Sequence, residues 1–443
     1  MKLRDNSVAN EKGKYMKHTV KRGIQVAAIA AASALALGGL TACSAGGSDT
    51  FNVWWYEKDT AMATTWKAAL DELAAAHPNV KVKFELKTWD QIQKSGNAIL
   101  DSDKAPDLAE WNKGNATAGS ASAAGLLTNL NDYSSKYKWN EILPESALLY
   151  GRYTDGLMGK GDLYGVSTYG EYASWFYNKD TFDKNGWTVP KSAADLDALL
   201  ASMKAKGLTQ CIGGKDYQNV HLAYGLTLAN ADTGQTFVKN FQFFENPIDW
   251  GNEWTKGATT ISNWLKAGYF PKNVAGISAD NAVAEFQKGA TCPMIFGGTW
   301  LDQGMADKAK FNWAKFQMPA TGGQSVGSAG NLLVIPSKSK NKDLAAEFIN
   351  MILSKKYQNM LGENGGLPLA ADISALTNKT TVKSYTVFAE IVKADGLGMY
   401  PDWPVPGFYE IQLAAGQKLL SDGNAQAYVD TLKAFYDKNK PTK

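Results

Sequence analysis

Two periodicities run one into the other near the start of this 443-residue chain, and they restrict its fold more than any other feature. Phe51-Asn-Val-Trp-Trp55 is a short apolar strand. Residues 60–77 then place Met62, Trp66, Ala69, Leu70, Leu73 and Ala74 on one helical face. Val80-Lys-Val-Lys-Phe-Glu-Leu86 alternates strictly, with Val80, Val82, Phe84 and Leu86 inward and Lys81, Lys83 and Glu85 outward. Apolar residues at steps of three and four bury one stripe of a helix, whereas steps of two bury one face of a strand. Strand, helix, strand is the opening of an α/β sheet.

The same pattern returns further on. Residues 106–111 read as a strand, and 163–182 is an aromatic-rich stretch bounded by glycine. Ser192-Ala-Ala-Asp195 is a capping box before the apolar stripe Leu196, Leu199, Leu200 and Met203, which Lys204, Lys206 and Gly207 close. A strand-like Thr209–Gly214 follows. From Ala282 the chain predicts a helix, a turn at Gly289, a strand, and then Gly297-Gly298-Thr299-Trp300. A strand at Leu332–Ile335 stops at Pro336, and a helix starts at Asp343. No unit of 20–50 residues repeats, so a solenoid is excluded. The expected fold is α/β with two sheet-forming centres. Trp66, Trp175 and Trp264 fall inside amphipathic or strand patterns and are assigned to cores.

The first 42 residues carry a different message. Residues 23–42 hold no charge and follow Lys14, Lys17, Lys21 and Arg22, the layout of a secretory signal; a stable transmembrane helix is the competing reading. Leu40-Thr41-Ala42-Cys43 ends this run and resembles the bacterial lipobox, which makes Cys43 the expected lipid anchor and residues 43–50 a flexible tether. Removing residues 1–42 takes away seven basic and two acidic residues, leaving 39 and 41 and a net charge near −2. Nucleic acid is therefore not an expected partner. Cys211 and Cys292 remain; a disulfide and two buried thiols are both compatible with their apolar contexts.

Catalytic signatures are few. Gly323-Gln-Ser325-Val-Gly327 matches a nucleophile elbow in letters, but a loop precedes it, a strand follows it, and no histidine lies downstream among His18, His77 and His221. No phosphate-binding loop, dinucleotide fingerprint or metal-ligand spacing occurs, so no cofactor or metal is expected. Two carboxylates working as a glycosidase pair remain an alternative, although the eightfold strand–helix repeat of a barrel enzyme is not seen.

Several pieces in order resemble the extracellular solute-binding proteins of carbohydrate ABC importers, the maltose-binding-protein-like family. They are APDLAEWNKGN with AAGLLTNL, YGVSTYGEYASWFYNKDTF, EFQKGATCPMIFGGTW, GNLLVIPSKSKNKDLAAEFI and GGLPLA at 365–370. The resemblance covers residues 50–443. It implies a two-lobe periplasmic-binding-protein fold with a hinge and a ligand cleft between lobes. Lobe 1 would take 51–167 plus 330–390, and lobe 2 would take 168–329 plus 391–443. It also implies a monomeric, non-enzymatic, lipid-anchored protein on the outer face of the cell membrane that hands an oligosaccharide to importer permease subunits. The alternatives are a glycoside hydrolase, or the same fold binding a non-sugar solute.

Sugar recognition needs flat aromatic faces for C–H patches and carboxylates or amides for hydroxyls. Carried over position by position, the resemblance implies ligand contacts at Trp55, Tyr56 and Glu57 after the first strand, and at Trp111 and Asn112 ending the third. It further implies Glu171 at a hinge crossing, His221, Trp300 after the glycine turn, and Asp402, Trp403 and Tyr409 in the last third. Lys113-Gly114-Asn115 departs from the maltose-type Asp and Arg, which favours an oligosaccharide other than maltose.

Overall fold

The computed structural model describes residues 49–58, 60–319 and 324–441. The expected secretory leader, Cys43 and residues 43–48 of the tether lie outside the described residues.

The opening unit forms as its periodicities require. Strand β1 (Thr50–Trp55) pairs in parallel with β2 (Lys81–Leu86), and helix α1 (Ala61–Ala76) connects them. Thr60 caps α1, its hydroxyl accepting from the Ala63 N–H at 3.1 Å. β1 also pairs in parallel with β3 (Leu108–Trp111), which follows helix α2 (Trp89–Leu100). The strands Leu332–Val334 and Gly165–Ser167 complete a five-stranded sheet on the far side of β3, both antiparallel to their neighbours. β2 is the edge strand. Its alternation is real but its inward face is only half covered, and Leu86 at its end is 46% exposed rather than buried.

A second sheet is built on the nine-residue strand Gly170–Asn178. Met294–Gly298 lies along one side, while Trp313–Phe316 and Gly327–Ala329 share the other. The chain passes between the two sheets at residues 168–169 and again at 330–331. These two passages lie together: the Gly330 N–H donates to the Tyr169 carbonyl at 2.5 Å, and the Ser167 hydroxyl to the Gly330 carbonyl at 2.6 Å.

Alternation decides which core each side chain joins. Phe51, Val53 and Trp55 face α1 and the helix Lys342–Leu353, in a core with Trp66, Phe348 and Ile352. Trp54 points to the other face, into a core shared with Trp111, Trp175, Trp254 and Trp403. Trp66, Trp175 and Trp264 are all buried, as their patterns predict. The capping box at Ser192 and Asp195 forms in full ahead of the helix Ala193–Ala205. Thr209–Gly214, however, is not a strand. Only Cys211 bridges to the second sheet, through Ile295, and the disulfide Cys211–Cys292 fixes that approach, with Cα atoms 5.5 Å apart.

Candidate functional site

Parallel strands β1 and β3 end side by side, so the residues after them meet. The Tyr56 N–H donates to Glu110 Oε2 at 3.1 Å. The Tyr169 hydroxyl, in the passage between sheets, lies 3.5 Å from Glu110 Oε1 and accepts from Asn331 Nδ2 at 3.1 Å. Glu57 and Glu110 are both buried here. A carboxylate loses hydration on burial, and a second nearby acid adds repulsion. Burial pushes the Glu57 carboxyl up to about 7, with the charge of Glu171 adding to the rise. Burial, then the charge of Glu57, holds Glu110 well above the usual range.

β3 continues into Asn112 and Lys113. Lys113 is fully buried, and its ammonium donates to Glu171 Oε1 at 2.9 Å and to Asn331 Oδ1 at 3.4 Å. Ser328 Oγ lies 3.2 Å from the same Glu171 oxygen. Desolvation pulls the Lys113 amine below its ordinary value, and the neighbouring Glu171 charge opposes this. Asn112 Nδ2 donates to Asp402 Oδ2 at 2.8 Å, and burial raises the Asp402 carboxyl to about 6.

Aromatic rings line the other side of this polar group in an unbroken series. Trp300 meets Tyr217 at 6.2 Å between centroids, and its Nε1–H donates to the Tyr217 hydroxyl at 3.4 Å. Tyr217 meets His221 at 5.2 Å, one turn along the helix Tyr217–Ala229. His221 meets Tyr400 at 4.9 Å, and Tyr400 meets Trp403 at 5.6 Å. The Lys113 ammonium stands 5.2 Å from the Trp403 ring and 5.8 Å from that of Tyr400, which closes the series onto the polar group. Among these rings His221 is held neutral: burial lowers its pKa to about 3.

Two glycines make this possible. A Cβ on Gly298 would sit 2.0 Å from a Trp300 ring carbon, so the indole packs directly on bare backbone. Gly114 has φ of +88°, and a Cβ there would come 2.3 Å from the Trp403 Cβ.

The structure thus brings Glu57, Asn112, Glu171, His221, Trp300, Asp402 and Trp403 into one neighbourhood between the sheets. Tyr56 joins it through Glu110, and Trp111 stands at the end of β3, its indole N–H buried without a hydrogen-bond partner. Trp55 does not belong there. Strand parity turns it into the α1 core, 4.0 Å from Phe84 and 5.7 Å from Trp66 between ring centroids, so its expected ligand contact is withdrawn. Tyr409 is half-buried in the first turn of the helix Phe408–Asp422, beyond the segment that carries Tyr400 and Trp403. Sequence reasoning missed Lys113, Tyr169, Tyr217, Asn331 and Tyr400 as members of the group. Tyr217 was within reach, being four residues before His221 on one helical face.

Chemically this arrangement suits recognition: flat rings on one side, buried carboxylates, two amides and one amine on the other. Among the described residues no three His, Cys, Asp or Glu side chains are grouped to hold a metal ion.

Comparison with known proteins agrees with that reading. Residues 57–359, well over half of the chain, match the model of the family described as bacterial extracellular solute-binding protein. A mannitol-binding protein of Pseudomonas aeruginosa is 26% identical over 55% of this chain and 56% of its own length. The diacetylchitobiose binding protein DasA of Streptomyces coelicolor is also 26% identical, over 72% of this chain and 73% of its own. The matched segment therefore spans little more than half of the first relative and about three quarters of the second. Among solved structures, a chitin oligosaccharide binding protein superposes with a TM-score of 0.74 at 20% identity, over 88% of this chain and 98% of that one. That likeness establishes the two-lobe α/β fold.

Proposed function

The chain belongs to the bacterial extracellular solute-binding protein family, and from that premise we propose that it captures an oligosaccharide between its two lobes and delivers it, chemically unchanged, to the permease of an ABC importer. One observation carries the reading: the continuous ring series from Trp300 to Trp403 faces the Glu171–Lys113–Asn112–Asp402 group. Rings of this size match the C–H faces of successive sugar units, and buried carboxylates give charge-assisted hydrogen bonds to hydroxyls. Both contacts to Glu171 fall on Oε1, so Oε2 serves an incoming hydroxyl. The names of two relatives, which bind mannitol and diacetylchitobiose, support a polyhydroxylated ligand.

In this reading the lobes are 51–167 with 330–390 and 168–329 with 391–443, save that the helix Lys379–Lys393 goes with the second lobe, on whose strand Gly170–Asn178 its Phe388 packs against Tyr172; the passages at 168–169 and 330–331 belong to the hinge. Closure follows from ligand contacts made to both lobes at once, because a ligand shifts a two-state protein by its preference for one state. Tyr56, Glu57, Trp111, Asn112, Glu171, His221, Trp300, Asp402, Trp403 and Tyr409 are the proposed contacts. The mature protein is a monomer tethered by lipid on Cys43 at the outer face of the membrane.

A thermal-shift screen of residues 44–443 against β-1,4, α-1,4 and α-1,6 oligosaccharides tests this. A ligand of the folded state alone stabilises it by roughly 2.7 kcal/mol at a hundred times Kd. A rise in Tm with one linkage class, with the sugar recovered intact, is the expected result. Accumulation of shorter products would identify a hydrolase instead, and no shift with any glycan would remove the sugar reading.

A further inference from the structure

The stretch that leaves β3 does more than bring Asn112 and Lys113 to the cleft group. Asn115 opens the short helical turn Asn115–Gly119, and its one side-chain amide has partners in both lobes. Its Oδ1 accepts from the Met158 N–H at 2.8 Å, in the strand Leu157–Met158 that pairs with Arg152–Thr154. Its Nδ2 donates to the Gln242 carbonyl at 3.2 Å and to the Pro404 carbonyl at 3.3 Å. In the two-lobe reading Met158 lies in the first lobe, and Gln242 and Pro404 lie in the second. The acceptor end of the amide thus serves one lobe and its donor end the other.

Both sides are firmly held. In the first lobe the Tyr153 hydroxyl accepts from the Gly114 N–H at 3.1 Å and donates to the Tyr150 carbonyl at 2.9 Å. In the second, Gln242, on the helix Gln235–Phe243, donates through Nε2 to the Tyr400 carbonyl at 2.8 Å. The Met399 N–H donates to the Gly327 carbonyl at 3.0 Å, and Gln412 Nε2 to the Pro401 carbonyl at 3.1 Å. Two more bonds run beside Asn115 in the same direction, from the Ala116 N–H to the Trp403 carbonyl at 2.9 Å and from Asn112 Nδ2 to Asp402 Oδ2 at 2.8 Å.

We propose that Asn115 is a positioning residue of the closed arrangement, at the centre of a clasp in which residues 112–116 fasten the first lobe onto Gln242 and residues 402–404 of the second. The inference rests on the two-lobe reading above and not on which sugar fills the cleft. Bonds from lobe to lobe form only while the lobes are together, so they favour closure by themselves and slow the release of whatever the cleft holds. Their effect is therefore the same factor for every ligand.

Two variants test the clasp, with small-angle scattering of the ligand-free protein and stopped-flow release of chitotriose, cellotriose and maltotriose as readouts. Asn115→Ala removes the whole amide. It expands the ligand-free protein and speeds release about fivefold, the factor for one ordinary hydrogen bond, equally for each sugar that binds. Asn115→Asp keeps an oxygen for the Met158 N–H and turns a second oxygen against two carbonyls. It opens the protein further than Asn115→Ala and speeds release about tenfold or more. If Asn115→Asp stays as compact as the unaltered protein while Asn115→Ala does not, Asn115 is only a local brace for Met158 and the clasp is overturned. Two variants indistinguishable from the unaltered protein, or a factor that differs from sugar to sugar, overturn it as well. Failure of all three sugars to bind counts against the sugar reading alone, and the order of expansion in scattering still decides the clasp.

Discussion

Among the described residues two lysines are paired with buried carboxylates, each with two aromatic rings within 6 Å, and they differ in the acids around them. Lys315 donates to both oxygens of Asp302, at 2.9 and 2.6 Å, and to Ser384 Oγ at 2.9 Å; the Ser384 hydroxyl returns a bond to Asp302 at 3.1 Å. Every donor and acceptor finds a partner inside this ring, which ties the strand Trp313–Phe316 to the helices Asp302–Lys308 and Lys379–Lys393. Lys113 faces Glu171, with Glu110, Glu57 and Asp402 all buried nearby. One amine there meets an excess of acids, whereas Lys315 meets one carboxylate; rings flank both amines. A buried pair whose hydrogen bonds are complete holds elements together; one set among surplus acceptors is suited to taking up a ligand.

The largest expected effect lies in the closed ring. Asp302→Asn leaves the Lys315 ammonium buried without a counter-charge, and breaking such a pair costs about 3–5 kcal/mol. Urea denaturation measures this, and a loss below about 1 kcal/mol would end the distinction between the two pairs. Replacing both partners, as Asp302→Leu with Lys315→Met, restores most of the stability, because two apolar groups need no counter-ion. Next comes Trp300→Ala in the open region. Losing an aromatic platform weakens sugar binding roughly a hundredfold, about 2.7 kcal/mol, while the fold loses far less because the ring is only half-buried. A large fall in Tm with intact affinity would make Trp300 a packing residue.

The acid surplus also has a pH signature. Glu57 rises from 4.5 to about 7 on folding, so the folded state binds its proton more tightly than the unfolded chain does. Its stabilising contribution is fully present below pH 4.5 and is lost as pH rises to about 7. By the usual 1.36 kcal/mol per unit, this amounts to at most about 3 kcal/mol. His221 works in the opposite sense. Its pKa falls from 6.5 to about 3, so its contribution is present above pH 6.5 and is lost as pH falls towards 3. Glu57→Gln should therefore flatten the decline in stability between pH 4.5 and 7, and His221→Asn should flatten the loss on the acid side. Chemical denaturation across pH 4–8 separates them; an unchanged profile in Glu57→Gln would remove this carboxyl from the buried group.

How far these two regions could be read in the sequence follows from the range of the contacts that make them. Helix α1, the capping box at Ser192 and the end of β3 depend on neighbours a few residues apart, so their residue patterns declared them. Phe51-Asn-Val-Trp-Trp55 is apolar at four positions of five, and nothing local says which tryptophan faces which way; parity sent Trp54 towards the cleft side and Trp55 into the core. Thr209–Gly214 has strand-like composition but finds only one bridging partner. Lys113 and Glu171 lie 58 residues apart, and Lys315 and Ser384 lie 69 apart, so neither group has a signature in any short window. Lys113 did stand out as a departure from the maltose-type pattern, although a departure alone does not name its partner.

The smallest expected change is in stability on Glu171→Gln, and it bears most directly on the contrast. Here the lysine is not stranded as Lys315 would be. The Lys113 ammonium keeps Asn331 Oδ1 at 3.4 Å, a glutamine oxygen in place of the carboxylate, and the faces of Trp403 and Tyr400. The charges of Asp402 and Glu110 also favour its protonated form. Removing one acid from a surplus therefore destabilises by about 1 kcal/mol, well below the figure for Asp302→Asn. Ligand binding responds in reverse order: replacing a charge-assisted hydrogen bond by a neutral one lowers affinity about tenfold, near 1.4 kcal/mol. Urea denaturation and calorimetry on the same two variants give both numbers. If Glu171→Gln unfolds the protein as readily as Asp302→Asn does, Lys113 and Glu171 are a second structural clamp, and recognition must rest on the aromatic rings alone.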